Sequence, residues 1–400
     1  MNSQFSYLTH LECSQCGTKY RSDRVQTYCQ ECQAPLLARY DLDEVRANVN
    51  KSALRQRQPG MWRWHEVLPI QNTVNVLSLG EGDTPLLPSR HLGKWIGFDH
   101  LFIKDEGQNP TGSFKARGLS AAISKAKELG VEKVIIPTAG NAGGALAAYA
   151  ASGGLQARVV MPRDTPLSNQ IESRITGAEV SLVEGLISDA AERARRDILD
   201  MGWFDISTFK EPYRVEGKKI MGYELAEAFL WDLPEVIIYP TGGGTGLIGM
   251  WKAFAELNSL GWLKSPFLPR MVVVQAEGCA PVVTAFEKHA KQCEFWPNAQ
   301  TVASGLRVPK SFADRLIMET LYASQGVALA VSDEEILTAQ LEIAQMEGIF
   351  TAPEGAATWA AFKKLAGNQW ISSGERVILF NTGSGLKYLD SIDLSRLEVT

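Results

Sequence analysis

Residues 104–118 read KDEGQNPTGSFKARG. The run Asn109-Pro110-Thr111-Gly112 marks a turn. Ser113 stands next as a candidate helix cap, which puts Phe114 and Lys115 in the first turn of the helix that follows. Upstream, HLFIK (100–104) is a short apolar run with strand character. The stretch is therefore strand, turn, helix, with a lysine at the helix start. The positive end of the helix dipole disfavours an ammonium there. A lysine depressed in this way is a better nucleophile and Schiff-base former. The competing reading is a solvated surface lysine.

The same strand–helix grammar repeats outward. Candidate strands are KVIIP (133–137), ARVVM (157–161), EVSLV (179–183), EVIIY (235–239), MVVVQ (271–275) and RVILF (376–380). Helical spacing fills 113–129, 141–152, 186–201, 215–231 and 245–260. Alternation of this kind predicts parallel sheets covered by helices, with strands buried on both faces. In such sheets ligands bind at the carboxyl ends of strands. Three more junctions of that type are rich in small residues. PTGGGTG (240–246) precedes a helix and has the character of a phosphate cradle without the Lys-Ser/Thr pair of a Walker loop. PTAGNAGGALAAYAA (137–151) turns at Gly140-Asn141, where an Ala-rich packing helix is the alternative to a site. VILFNTGSGLK ends a strand at Asn381 and Thr382.

The amino-terminal forty residues are a different kind of sequence. Cys13, Cys16, Cys29 and Cys32 form two C-x-x-C pairs, each able to present two thiolates from one tight turn. Together they predict a tetrahedral four-thiolate zinc site with a structural role, since four protein ligands leave no open position. The domain expectation is a zinc-ribbon-like unit at 1–40 and a connector at 41–75. A small mobile domain is expected at 120–213, and a large domain from 76–119 and 214–400. Trp62 and Trp64 in the connector are expected to pack it onto the body. Forty Lys+Arg against 45 Asp+Glu leave a net charge of −5, which gives no footprint for nucleic acid or an anionic membrane. No secretory pattern or membrane-length apolar run is visible, so a cytoplasmic protein is expected.

In order along 79–388, the segments LGEGDTPLLP, KDEGQNPTGSFKARG, TAGNAGGALAAYAA, RVEGKKIMGYELAEAF, PTGGGTGLIGMWKAF, MEGIFTAPEGAA and NTGSGLK resemble the fold-type II pyridoxal-phosphate enzymes, most closely the threonine synthase family. Some relatives there carry a four-Cys unit as well. The resemblance implies an α/β two-domain fold like the tryptophan synthase β chain, parallel-sheet-rich, behind a small zinc ribbon. It implies pyridoxal 5'-phosphate on Lys115, with Asn141 at the cofactor's 3′ oxygen. Gly242, Gly243, Gly244, Thr245 and Gly246 would hold its phosphate, and Thr382 would face its ring nitrogen. Thr138, Ala139 and Gly140 would receive a substrate carboxylate, and Arg214 a substrate phosphate. It further implies a homodimer, an amino-acid substrate, and conversion of O-phospho-L-homoserine and water to L-threonine and phosphate.

The chain departs from the family pattern around the substrate. Ala116 replaces an acid after the lysine. Ala139 and Ala142 lack hydroxyls. Glu211 would repel a phosphate if it pointed inward, and the E-P-[AS]-S block reads APEG with Ala352 and Glu354. Two alternatives therefore stand beside threonine synthesis. One is a different reaction on this fold, such as Ser/Thr dehydration or β-replacement. The other is a non-catalytic cofactor-binding or zinc-knuckle interaction protein. Glu106 reads equally as a catalytic acid or an ion-pair partner, and Cys279 as a buried small hydrophobe.

Overall fold

A computed structural model describes residues 4–392. Residues 1–3 and 393–400, the outer ends of the expected zinc unit and large domain, lie outside it. Six strands form the largest sheet, in the order Val327–Val331, Arg270–Ala276, Val236–Pro240, Val377–Asn381, Leu101–Asp105 and Leu86–Pro88. All neighbours are parallel except the last pair. The near-continuous apolar runs are explained by burial on both faces. Ile237, Tyr239, Val273, Ile378 and Phe380 point into one core. Val236, Ile238, Val272, Val274, Val377 and Leu379 point into the other.

A second, fully parallel sheet has the order Glu179–Val183, Gln156–Pro162, Lys133–Pro137, Phe204–Asp205. Val134, Ile136, Val159 and Met161 face the core shared with the lysine-bearing helix, and Ile135 and Val160 face a smaller cluster with Trp203. The seven strands expected from the sequence all form, within a residue or two at each end. The edge strand VALAV at Val327–Val331 and the helices Asp333–Glu347 and Pro353–Gly367 were not anticipated. Alanine-rich text carries little β-branched or periodic signal.

The first forty residues form a three-stranded antiparallel sheet from Leu8–Cys13, Lys19–Tyr20 and Leu36–Tyr40. Its apolar face is not a private core. Leu8, Leu11, Leu36 and Ala38 share one cluster with Ala116 and Leu119 of the helix Lys115–Glu128. Ala116 is fully buried there, so an acid at this position would lose its hydration without an evident partner. The connector packs as expected. Trp64 is buried against Tyr223, and Trp62 Nε1 donates to Ser120 Oγ at 2.9 Å. Among the described residues, no helix is long and apolar enough to cross a membrane.

Candidate active site

Lys115 is the first residue of the helix Lys115–Glu128. Phe114, not Ser113, is the capping residue, and the Ser113 hydroxyl only approaches Lys115 N–H at 3.4 Å. What holds the turn is the distant C-terminal strand. Phe114 N–H donates to the Thr382 carbonyl at 3.0 Å, and Ser384 N–H to Gly112 at 2.8 Å. Tertiary hydrogen bonds thus bring Lys115 and Thr382 together across 267 positions of sequence. Lys115 is partly buried, and its Nζ lies 4.0 Å from the Phe114 ring centroid. Burial, reinforced by Arg214, holds its ammonium down to about 7, and Glu354 opposes them. A near-neutral amine at neutral pH is a usable base and nucleophile.

The glycine loop lies at the end of strand Val236–Pro240 and leads into the helix Thr245–Ser259. Gly244 has φ +79°, a conformation other residues adopt at a cost. A Cβ on Gly242 would come within 2.3 Å of the Gly305 carbonyl oxygen, and one on Gly243 within 2.9 Å of Thr208 Cγ2. The loop's carbonyl side is tied down: Ser311 Oγ donates to the Gly243 carbonyl at 3.0 Å, and Gln275 Nε2 to the Thr241 carbonyl at 3.1 Å. Among the described residues, the N–H groups of Gly242, Gly243 and Gly244 have no acceptor. A nest of free N–H groups at a helix N-terminus fits a phosphate.

Asn141 opens the helix Asn141–Gly153. Its Nδ2 donates to Tyr388 Oη at 3.0 Å, and Tyr388 Oη donates to Glu354 Oε1 at 2.9 Å. Glu354 Oε1 also accepts Gly305 N–H at 2.6 Å. Asn141 Oδ1 and Glu354 Oε2 are buried without a partner among the described residues. Buried polar atoms of this kind are costly unless a ligand or water meets them. In the neighbouring turn, Gly140 N–H is already used by Thr138 Oγ1 at 3.2 Å. Ala139, Asn141 and Ala142 have no acceptor for their N–H among the described residues. A cleft of about 350 Å³ lined by Thr165, Gln170, Ser304, Arg307 and Tyr388 opens beside this turn. Arg307 Nη1 reaches across to Asp164 Oδ2 at 2.9 Å.

Arg214, first residue of the helix Arg214–Ala228, is fully buried. Its Nη1 donates to the Ile206 carbonyl at 2.8 Å, while Nε has no partner among the described residues. Glu211 lies close enough to act on the charges of Arg214 and Lys218. Its carboxylate is turned onto the helix start, where it accepts the N–H groups of Tyr213 and Arg214 at 2.7 and 3.0 Å. Burial still pushes it up to about 7, against the pull of Arg214. Glu106 is an ion-pair partner: Arg117 Nε donates to its Oε2 at 2.6 Å. Cys279 is fully buried.

Two elements of the site were illegible in the sequence. The relay of Asn141, Tyr388 and Glu354 joins three segments with no shared motif. Lys218 Nζ, buried, donates to Thr245 Oγ1 at 2.6 Å. The one available signal for it was the doubled lysine in RVEGKK, which reads as a solvated helix face.

At the amino-terminal end, the sulfurs of Cys13, Cys16, Cys29 and Cys32 all lie within 4.8 Å of one another. The recorded separations are 3.3 Å (Cys13–Cys32), 3.6 Å (Cys16–Cys29) and 3.6 Å (Cys16–Cys32), and no disulfide forms. A tetrahedron with metal–sulfur bonds of about 2.3 Å has edges of about 3.8 Å, so the cluster fits one soft metal ion. Gln15 and Cys16 N–H each point at Cys13 Sγ at 3.4 Å, and Tyr20 Oη lies 3.2 Å from Cys29 Sγ, contacts that orient thiolate ligands.

Comparison with known proteins agrees with this geometry. A family described as pyridoxal-phosphate dependent enzyme matches residues 77–383. The chain is 36% identical to a threonine synthase of Methanocaldococcus jannaschii over 380 residues, 95% of this chain and 93% of that one. It is 34% identical to one of Methanosarcina acetivorans, covering 94% and 92%. In structure it is similar to the processed threonine deaminase isoform 2 of Solanum lycopersicum, with TM-score 0.67, 20% identity, and 81% and 87% coverage. It is also similar to maize serine racemase, with TM-score 0.65, 22% identity, and 78% and 90% coverage. Those two show the fold alone. With a partly buried, near-neutral lysine at a helix start, a glycine-rich anion nest and these relatives, the chain belongs to the pyridoxal-phosphate dependent enzymes and, among them, to the threonine synthase family.

Proposed function

We propose that this chain converts O-phospho-L-homoserine and water to L-threonine and phosphate. The observation that carries the reading is Lys115, near-neutral and without a carboxylate partner, beside two further buried cations that no salt bridge satisfies among the described residues, Arg214 and Lys218. A site that concentrates unpaired cations out of water is built for an anion.

Lys115 would hold the cofactor, with Gly242, Gly243, Gly244, Thr245 and Gly246 at its phosphate, Asn141 at its 3′ oxygen and Thr382 at its ring nitrogen. Pyridoxal phosphate, when bound, supplies the electron sink that makes protons at Cα and Cβ removable. The chain supplies the rest. Thr382 offers the ring nitrogen a hydroxyl, which leaves it less protonated than a carboxylate would and favours elimination and replacement chemistry. The turn at Thr138, Ala139 and Gly140 would receive the substrate carboxylate, with Ala139 N–H the free donor. Arg214 would meet the leaving phosphate. Lys115 Nζ takes the Cα proton, its near-neutral state leaving room for it. Closure of the unit at 120–213 over the cleft would exclude stray water. A homodimer in the cytoplasm and a structural zinc on the four cysteines complete the proposal. Metal analysis is expected to return a single zinc per chain.

A second reading rests on Ala139 and Ala142, which place no hydroxyl at the turn, and on the acidic Glu211: Ser/Thr dehydration or β-replacement on a different amino acid. One assay separates the two. Purified enzyme given phosphohomoserine is expected to release phosphate and form threonine. Keto acid from threonine or serine with no phosphate release would overturn the first reading in favour of the second. Turnover of any of these substrates, lost in Lys115→Ala, would exclude a purely non-catalytic role.

A further inference from the structure

The proposed cofactor site leaves one buried charge without an assignment. Lys218 is fully buried, and its Nζ donates to the hydroxyl of Thr245, first residue of the helix that the glycine loop opens. No carboxylate lies within salt-bridge distance of it among the described residues. The nearby acids are committed to backbone: Glu211 to Tyr213 and Arg214 N–H, and Asp205 to Ser207 N–H at 2.8 Å. Its surroundings are otherwise positive or apolar. Its Nζ sits 4.8 Å from the Phe114 ring centroid, and Arg214 and Lys115 both act on its charge. A cation at a helix N-terminus is also opposed by the dipole. Burial holds the Lys218 ammonium far below its ordinary range, with Arg214 and Lys115 adding to the effect and Glu211 opposing it. A dianion on the free N–H groups of the loop would offset these costs by direct attraction to the ammonium.

We propose that Lys218 is a direct ligand of the cofactor phosphate, adding a fixed cation to the cup formed by Gly242, Gly243, Gly244 and Thr245. The assignment rests on reading that loop as the phosphate cup. It makes the site selective for a phosphorylated cofactor by charge as well as by hydrogen bonds. The lysine reaches the cup from a different helix, so it also ties Arg214–Ala228 to the loop.

The test is titration of apoenzyme with pyridoxal phosphate and, separately, with pyridoxal, followed by absorbance of the bound aldehyde. Lys218→Met and Lys218→Gln are compared with the unaltered chain, with melting temperature as the check that each is folded. The glutamine variant keeps a donor for Thr245. Loss of a charge-assisted contact is expected to weaken pyridoxal phosphate binding by about tenfold or more and pyridoxal binding by less than about twofold. Equal losses for both ligands, or no loss for either, would overturn the assignment. So would unchanged cofactor affinity with a raised KM for the phosphorylated substrate, which would move Lys218 to the substrate phosphate. If phosphohomoserine is not turned over while the discrimination between the two aldehydes persists, the proposed reaction fails and the role of Lys218 stands.

Discussion

Two groups of buried and partly buried cations lie on or beside the helices Lys115–Glu128 and Arg214–Ala228. Behind the lysine turn, Arg117 donates to Glu106 and Glu224, and Lys104 Nζ to Glu224 at 2.7 Å. Two cations there meet two carboxylates, and Thr84 fills a remaining acceptor position. On the cleft side, Lys115, Arg214 and Lys218 make no salt bridge among the described residues. The first group is electrostatically finished: Arg117 is held well above its usual range, and Glu224 well below by Arg117 and Lys104 despite its burial. In the second group burial pulls all three cations down. Neutralised charges serve architecture. Charges left uncompensated in the interior await a ligand.

The contrast breaks most sharply at Lys115. Lys115→Ala is expected to lower turnover by a factor of roughly 10³ or more, since it removes a proton-transfer group from the reaction, while leaving melting temperature nearly unchanged. A large loss of stability instead would place Lys115 in the architectural group. Arg117→Met should do the opposite. It removes the guanidinium that bridges Glu106 and Glu224, leaves Lys104 as the one cation for two buried carboxylates among the described residues, and should cost about 3–5 kcal/mol of stability in urea unfolding. A variant as stable as the parent would show that the network is not structural.

Titration sharpens the same comparison. Lys115 is lowered from 10.5 to about 7, so the neutral amine accumulates as pH rises through about 7. Capture of pyridoxal by apoenzyme should therefore rise with a midpoint near there. Between that value and 10.5 the unfolded chain binds a proton that the native chain does not, so this group's contribution to stability rises with pH across the window. A midpoint near 10 would make Lys115 an ordinary surface lysine. The smallest expected effect belongs to the relay: Tyr388→Phe frees Asn141 Nδ2 and Glu354 Oε1 from one bond each, about 1 kcal/mol. It should shift the bound cofactor's absorbance and cost a few-fold in cofactor affinity. An unshifted spectrum with unaltered affinity would detach the relay from the site.

The lysine turn and the glycine loop were readable because their chemistry is local. A turn, a helix start and successive glycines occupy a few adjacent positions, and a backbone that must approach an anion leaves small residues in the text. The four cysteines were readable for a similar reason, since ligand spacing sits in two short turns. Other features had no local trace. Ser113 looks like a cap, yet the bond from Phe114 to Thr382 holds the turn. Glu211 looks like an acid in an anion site, yet it folds back onto its own helix. The doubled lysine of RVEGKK divides, with Lys218 turned to the loop and Lys219 set over the Tyr40 ring at 3.9 Å beside Glu216 and Glu256. Adjacent helical residues point about 100° apart, so neighbours in sequence reach different surroundings.

By itself, the sequence determined that strands alternate with helices, that a lysine stands at a helix start, that a glycine loop follows a buried strand, and that four thiols can share a metal. These follow from short-range sterics and side-chain periodicity. Only the tertiary structure decided which charges are paired. A buried ion's state depends on what the rest of the chain packs within a few ångströms of it, and Glu224 and Glu354 meet Arg117 and Tyr388 across 107 and 34 positions of sequence. That is why Arg117 is part of the frame and Lys218, on the helix packed against it, is left facing the anion nest.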